Sequence, residues 1–116
     1  MTITILTAGA LKEGVANAAN TFMAAGGGSV AASFTHGADI RDGILDGAMD
    51  AHILGLPTDM MDALAAKELL TKGARIELGA IRVAVAIKSG ETVPNIATVD
   101  AFKKAMAAAS QLIYTT

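Results

Sequence analysis

Apolar and polar residues along this chain follow two periodicities, and each predicts a type of secondary structure. From Leu11 to Phe22 the apolar residues recur at helical spacing, whereas shorter runs such as 3–6 and 81–87 are β-type. Applied to the whole chain, these patterns predict strands at 3–6, 29–34, 51–54, 75–78, 81–87 and 112–114 and helices at about 10–25, 38–46, 59–70 and 99–109. Strands and helices in this order are typical of an α/β fold with a mainly parallel sheet and flanking helices.

Threonines stand close to several predicted helix starts. Thr58 precedes the helix at 59–70, and Thr98 precedes the helix at 99–109. Both are predicted to be N-caps, because a threonine hydroxyl can accept a hydrogen bond from a free N–H group of the first turn.

A unit that occurs twice near the start of the chain carries the candidate chemistry. In each copy a β-type run enters a loop of mostly small residues, and a helical pattern follows at once. Gly9 and Ala10 lie in the first loop, and Thr35, His36 and Gly37 lie in the second. Helix N-termini present unpaired backbone N–H groups with partial positive charge, so they attract anions. Neighbouring parallel strands would bring both loops into one anion site.

These loops also have an ordinary structural interpretation. The first is then a tight strand-to-helix turn, in which small residues are common without any ligand. The second is then a plain connection in which Thr35 caps the following helix.

The composition excludes several classes of function. The 116-residue chain has a net charge of −2 and only 3% aromatic residues. It therefore lacks the basic surface and the stacking rings that nucleic-acid binding uses. It has no cysteine, which excludes disulfides, thiolate metal sites and cysteine catalysis. No apolar run approaches the length of a membrane span, so membrane insertion is not expected.

Other polar and glycine-rich positions favour structural roles. His52 lies within a predicted strand and is interpreted as a core or sheet-edge histidine. The glycines at 26–28 lack the Gly-Lys-Ser/Thr ending of a phosphate-binding P-loop. No nucleophile–base pair, metal-ligand cluster or cofactor fingerprint is recognisable, so the sequence predicts neither an enzyme nor a bound metal or cofactor. A protonated His36 would add to anion binding and make it pH-sensitive.

Taken in order, several segments resemble the periplasmic molybdate-binding proteins, a family of solute receptors of ABC transporters. P-N-I-A-T-V-D-A-F at 94–102 is similar to the family's helix entry P-x-I-x-T-x-x-A-F. T-A-G-A-L-K at 7–12 resembles the opening of the family, and F-T-H-G-A at 34–38 resembles its second ligand loop. Further similar segments lie at 47–54, 79–86 and 111–115. His36 departs from the family, which usually has a small hydroxyl residue there.

The resemblance implies a type II periplasmic binding fold, in which a solute is held between two lobes. Residues 1–88 would form a first-lobe-like α/β domain. Residues 89–116 would form a linker, helix and strand that resemble the start of the second lobe. The resemblance also implies a small oxyanion ligand, an ABC-transporter permease as partner and a periplasmic location. No targeting segment is visible at the N-terminus, so the cytoplasm is the alternative location.

Two functions of different classes follow from these observations. The chain is either a solute-binding module that holds a small oxyanion at helix N-termini, or a shortened receptor descendant that self-associates and has no ligand site. A homodimer is predicted, because one lobe and part of a second would leave apolar surface and sheet edges uncovered. Residues from about 88 to 116 would cross to the partner by domain swapping.

Overall fold

A computed structural model describes residues 1–114 of the chain. The chain divides into two compact units, Met1–Glu77 and Leu78–Thr116. The elements of the first unit are β1 (Thr2–Ala8), a 3-10 turn (Gly9–Leu11), α1 (Lys12–Ala24), β2 (Ser29–Thr35), α2 (Gly37–Leu45), β3 (Ile53–Gly55) and α3 (Thr58–Ala66). The second unit contains α4 (Val99–Ala108).

The strands form one parallel sheet in the order β2-β1-β3. On one side of β1 the pairs run from Thr2↔Ser29 to Ala8↔Thr35. On the other side they run from Ile5↔Ile53 to Thr7↔Gly55. The predicted α/β fold with a parallel sheet and flanking helices is therefore confirmed.

The helices cover both faces of this sheet. Helix α1 packs against β2, whereas α2 packs against β1 and α3. The connections from β1 to β2 and from β2 to β3 run in opposite directions across the sheet, so right-handed crossovers place α1 and α2 on opposite faces. The side chains with the least exposure are Thr7 of β1, Ala19 of α1, Ile40 of α2 and Leu64 of α3.

The predicted helix starts are correct in part. The cap at Thr98 is confirmed, because its Oγ1 accepts a hydrogen bond from the Ala101 N–H at 3.1 Å. Thr58 is the first residue of α3 rather than its cap, since the carbonyl of Pro57 already accepts the first helical bond, from Met61. Thr35 does not cap α2 either. It completes β2, and His36 occupies the cap position.

The strands predicted at 75–78, 81–87 and 112–114 are wrong, because these residues are irregular in the structure. A β-type sequence becomes a strand only where a neighbouring strand completes its hydrogen bonds. Within the described residues the sheet consists of β1, β2 and β3, and the apolar residues of 75–87 stay in solvent, with Val83 99% exposed. Helix α3 also ends at Ala66, before the predicted 70. Thr115, the end of the similar segment 111–115, lies outside the described residues.

Candidate functional site

The candidate site lies at the carboxyl edge of the sheet, where each of the three strands is followed by a helical segment. Ala8 is paired with Thr35, and Thr7 is paired with Gly55. Because adjacent strands lie about 4.8 Å apart, the three junctions that follow β1, β2 and β3 are neighbours. Gly9 and Ala10 follow β1, His36 follows β2, and Leu56 follows β3.

All three helical segments begin without a side-chain cap. No side chain accepts a bond from the first turn of the 3-10 turn, of α2 or of α3. The cap carbonyls are used, since that of His36 accepts from the Ile40 N–H at 3.2 Å and that of Pro57 accepts from the Met61 N–H at 3.0 Å. The N–H groups of these first turns are therefore available to a ligand or to water.

Close packing ties the third junction to the other two. A Cβ placed on Gly37, at the start of α2, would lie 3.0 Å from Sδ of Met60 in α3. A Cβ placed on Gly55, at the end of β3, would lie 2.6 Å from Oγ1 of Thr7 in β1. The three strand ends therefore form one contiguous edge.

The structure brings together all five residues of the predicted site. Gly9 and Ala10 lie in the 3-10 turn beside the residues that join β2 to α2, namely Thr35, His36 and Gly37. Gly37 is half-buried, and the other four are exposed. Within residues 1–114 the ring of His36 makes no hydrogen bond, so it is free to meet a solute.

Sequence reasoning missed the third junction, at Leu56, Pro57 and Thr58. Helix α3 packs on α2, whereas α1 lies on the other face, so the chain leaves β1 and β3 toward opposite faces. In open α/β sheets ligands bind at such a topological switch point. The signal was present in the sequence, because L-G-L-P-T-D at 54–59 also joins a β-type run to a helix start through a short loop.

Acidic side chains lower the positive potential of this edge. Glu13, Asp39 and Asp59 each lie in the first turn of a helix that begins there. Arg41 is engaged, because its Nε donates to Oδ1 of Asp42 at 2.7 Å. This hydrogen bond raises the pKa of Arg41 and lowers that of Asp42. The edge therefore offers backbone N–H groups to a solute, together with Lys12, the exposed first residue of α1, which takes part in none of the ion pairs within residues 1–114.

Residues 1–114 lack the features of two other kinds of site. No group of three metal-ligating side chains lies close enough together to hold an ion. None of the helices in this part of the chain is both long and apolar enough to cross a membrane.

Comparison with known proteins identifies the family. Residues 3–115 match the family model described as bacterial extracellular solute-binding protein. No curated protein and no solved structure matches the chain. The family description names no particular solute, so the resemblance to molybdate receptors holds at the level of solute binding. Because the match covers nearly the whole chain, this protein belongs to the bacterial extracellular solute-binding proteins.

Proposed function

We propose that the chain binds a small oxyanion at the carboxyl edge of its sheet, as a binding module without a catalytic step. The observation that supports this proposal best is the convergence of three helical segments that begin without side-chain caps. Backbone N–H groups in that position attract negative charge through the helix dipole. Membership of the solute-binding family supports a ligand at this edge.

In this proposal each predicted residue has a separate role. Gly9, Ala10 and Gly37 allow close approach to the backbone and offer N–H groups. Thr35 offers a hydroxyl, and His36 adds charge when it is protonated. Residues 56–58 form the third junction of the site, next to the topological switch point between β1 and β3.

The family also supports a cellular context. Its members are described as extracellular, and we propose that this chain works in the periplasm and delivers its solute to an ABC-transporter permease.

Binding at this edge is expected to be weak. Four of the five predicted residues are exposed, so a bound ion stays partly hydrated, and each exposed helix end contributes only about 0.3–1 kcal/mol. The acidic residues of the first turns oppose an anion further. We therefore expect a dissociation constant on the order of millimolar, or about −4 kcal/mol.

The test is thermal unfolding with molybdate, sulfate or phosphate. At 10 mM oxyanion and a dissociation constant of about 1 mM, mass action stabilises the fold by about 1.4 kcal/mol, which raises the melting temperature by roughly 4–8 °C. Added sodium chloride should reduce the shift through screening and competition. No shift with any of the three ions would contradict the oxyanion proposal. Submicromolar, salt-insensitive affinity in calorimetry would instead show a closed site.

A second candidate function, self-association, is favoured by exposed apolar surface. Ile76, Leu78, Ile81 and Val83 are each at least 67% exposed, and they alternate in a β-type sequence without a neighbouring strand. In α4 the side chains of Val99 and Phe102 are 70% and 40% exposed. We propose that a second copy covers these residues in a homodimer, in which residues from about 88 to 116 exchange between the chains.

The dimer should appear in light scattering at micromolar concentration as twice the mass of one chain. Val83→Lys places a charge in the exposed β-type segment and should return the mass to that of one chain, because an inserted lysine opposes edge pairing. Met23→Lys is the control, since Met23 is an exposed apolar residue of α1, at 38%, and lies outside both that segment and residues 88–116. A single-chain mass for the unsubstituted protein would rule the dimer out.

A further inference from the structure

Thr4 of β1 and His52, the residue before β3, are joined by a compact set of hydrogen bonds. The Thr4 N–H donates to Nδ1 of His52 at 3.1 Å, and Thr4 Oγ1 lies 2.7 Å from the same nitrogen. In return the His52 N–H lies 3.1 Å from the Thr4 carbonyl oxygen and 3.2 Å from Thr4 Oγ1. The imidazole thus takes the place of the carbonyl that a longer strand would offer to the Thr4 N–H.

This geometry requires a neutral imidazole. A backbone N–H can only donate, so Nδ1 must carry a lone pair, and the ring proton must sit on Nε2. When the ring gains a second proton, Nδ1 becomes a donor and faces the donating N–H of Thr4. The Thr4 hydroxyl can then accept from the ring, but the backbone N–H loses its partner.

We propose that the Thr4–His52 pair is a pH-sensitive clasp that holds the start of β3 against β1. Strand β3 has only three residues, so one lost hydrogen bond is a large part of its attachment. The ring is exposed and can exchange protons with solvent. The stabilisation is present while the ring is neutral, and it is lost when acidic pH protonates the ring.

The charged side chains on the elements next to the clasp are few. Strands β1 and β2 contain no titratable side chain, and Asp50 is the nearest carboxylate in sequence. Helix α2, which packs on β1, carries Arg41 and Asp42 as an ion pair, together with Asp39. Within residues 1–114 the ion pairs do not include His52.

The clasp also bears on solute binding, a consequence that rests on the proposed function. Strand β3 is followed by residues 56–58, the third junction of the proposed site. Loosening the start of β3 at acidic pH would displace residues 56–58 and weaken oxyanion binding. Protonation of His36 would strengthen oxyanion binding. The two histidines therefore predict opposite pH responses.

The clasp is tested by thermal unfolding at pH 7.5 and pH 5.5 without any oxyanion, so its outcome is independent of the proposed function. His52→Asn keeps an acceptor close to the Nδ1 position but cannot gain a charge. We expect the melting temperature of the unsubstituted protein to fall by about 3–6 °C more than that of His52→Asn. Asp50→Asn, a change close to His52 in sequence that leaves the Thr4–His52 hydrogen bonds in place, should retain the full fall.

A spectroscopic measurement keeps the proposal testable if His52→Asn does not fold. Nitrogen-15 NMR of the unsubstituted protein should show His52 with an unprotonated Nδ1 at pH 7.5, and faster amide exchange at Thr4 at pH 5.5. A proton on Nδ1 at pH 7.5 would overturn the proposal. Equal falls in melting temperature for His52→Asn and the unsubstituted protein would overturn it too.

Discussion

Replacing Ala10 with aspartate is expected to abolish the thermal shift that oxyanions produce. Ala10 lies in the 3-10 turn at the carboxyl edge of the sheet, and its side chain is exposed. Two unit charges about 4 Å apart repel by roughly 1 kcal/mol in water and by about 4 kcal/mol at an effective dielectric constant of 20. The upper value of this repulsion equals the whole binding free energy expected for a millimolar site, so one carboxylate is enough to abolish binding.

Ala18→Asp is the matched control for this experiment. Ala18 is exposed on α1, and its distance from Ala10 along the helix is about 12 Å, beyond the Debye length of about 10 Å at 0.1 M salt. It should keep most of the shift, including any general stabilisation by sulfate or phosphate, which are excluded from protein surfaces. Ala10→Asp should fold, because aspartate is favourable at a helix start. Equal shifts in the two variants would place the ion elsewhere.

Replacing Gly55 with alanine is expected to lower the free energy of unfolding by about 1–3 kcal/mol, or roughly 4–12 °C in melting temperature. The added Cβ would lie 2.6 Å from Oγ1 and 2.9 Å from Cβ of Thr7, and 3.2 Å from Cδ1 of Leu11. Thr7 is fully buried on the central strand, so it cannot move aside without displacing the sheet. The same displacement would separate two of the three junctions and weaken oxyanion binding.

Gly14→Ala gives the comparison of opposite sign. Gly14 lies within α1, and nothing comes within 4 Å of a Cβ placed there. Alanine is favoured over glycine inside a helix by about 1 kcal/mol, so this variant should melt at a higher temperature than the unsubstituted protein. If Gly55→Ala proves as stable as Gly14→Ala, the end of β3 packs less tightly on β1 than the structure shows.

The local pattern of the chain was sufficient for the elements from β1 to α2. Helix α1 and strands β1 and β2 were predicted because their periodicity agrees with the environment that each meets in the fold. The small residues Gly9, Ala10 and Gly37 marked the junctions, because a strand that turns at once into a helix leaves little room for side chains. The order of these elements was enough to predict a parallel sheet.

Capping depended on backbone geometry that a residue type does not specify. Thr98 lies one residue before α4 and caps it, whereas Thr58 lies one residue inside α3 and cannot. The difference is set by Pro57, whose carbonyl accepts the first helical bond. A shift of one residue therefore separates a cap from an ordinary helical position.

The sequence by itself determined the secondary-structure type of those elements that local periodicity is sufficient to specify. It also determined the two loops of mostly small residues that contain Gly9 and His36. Only the tertiary structure decided the rest. The order β2-β1-β3 made the residues at 56–58 part of the candidate site, since a switch point exists only once strands are placed side by side. The same reason explains why 81–87 is irregular despite its β-type sequence. A strand is completed by hydrogen bonds to a neighbour, and its own residues cannot supply that neighbour.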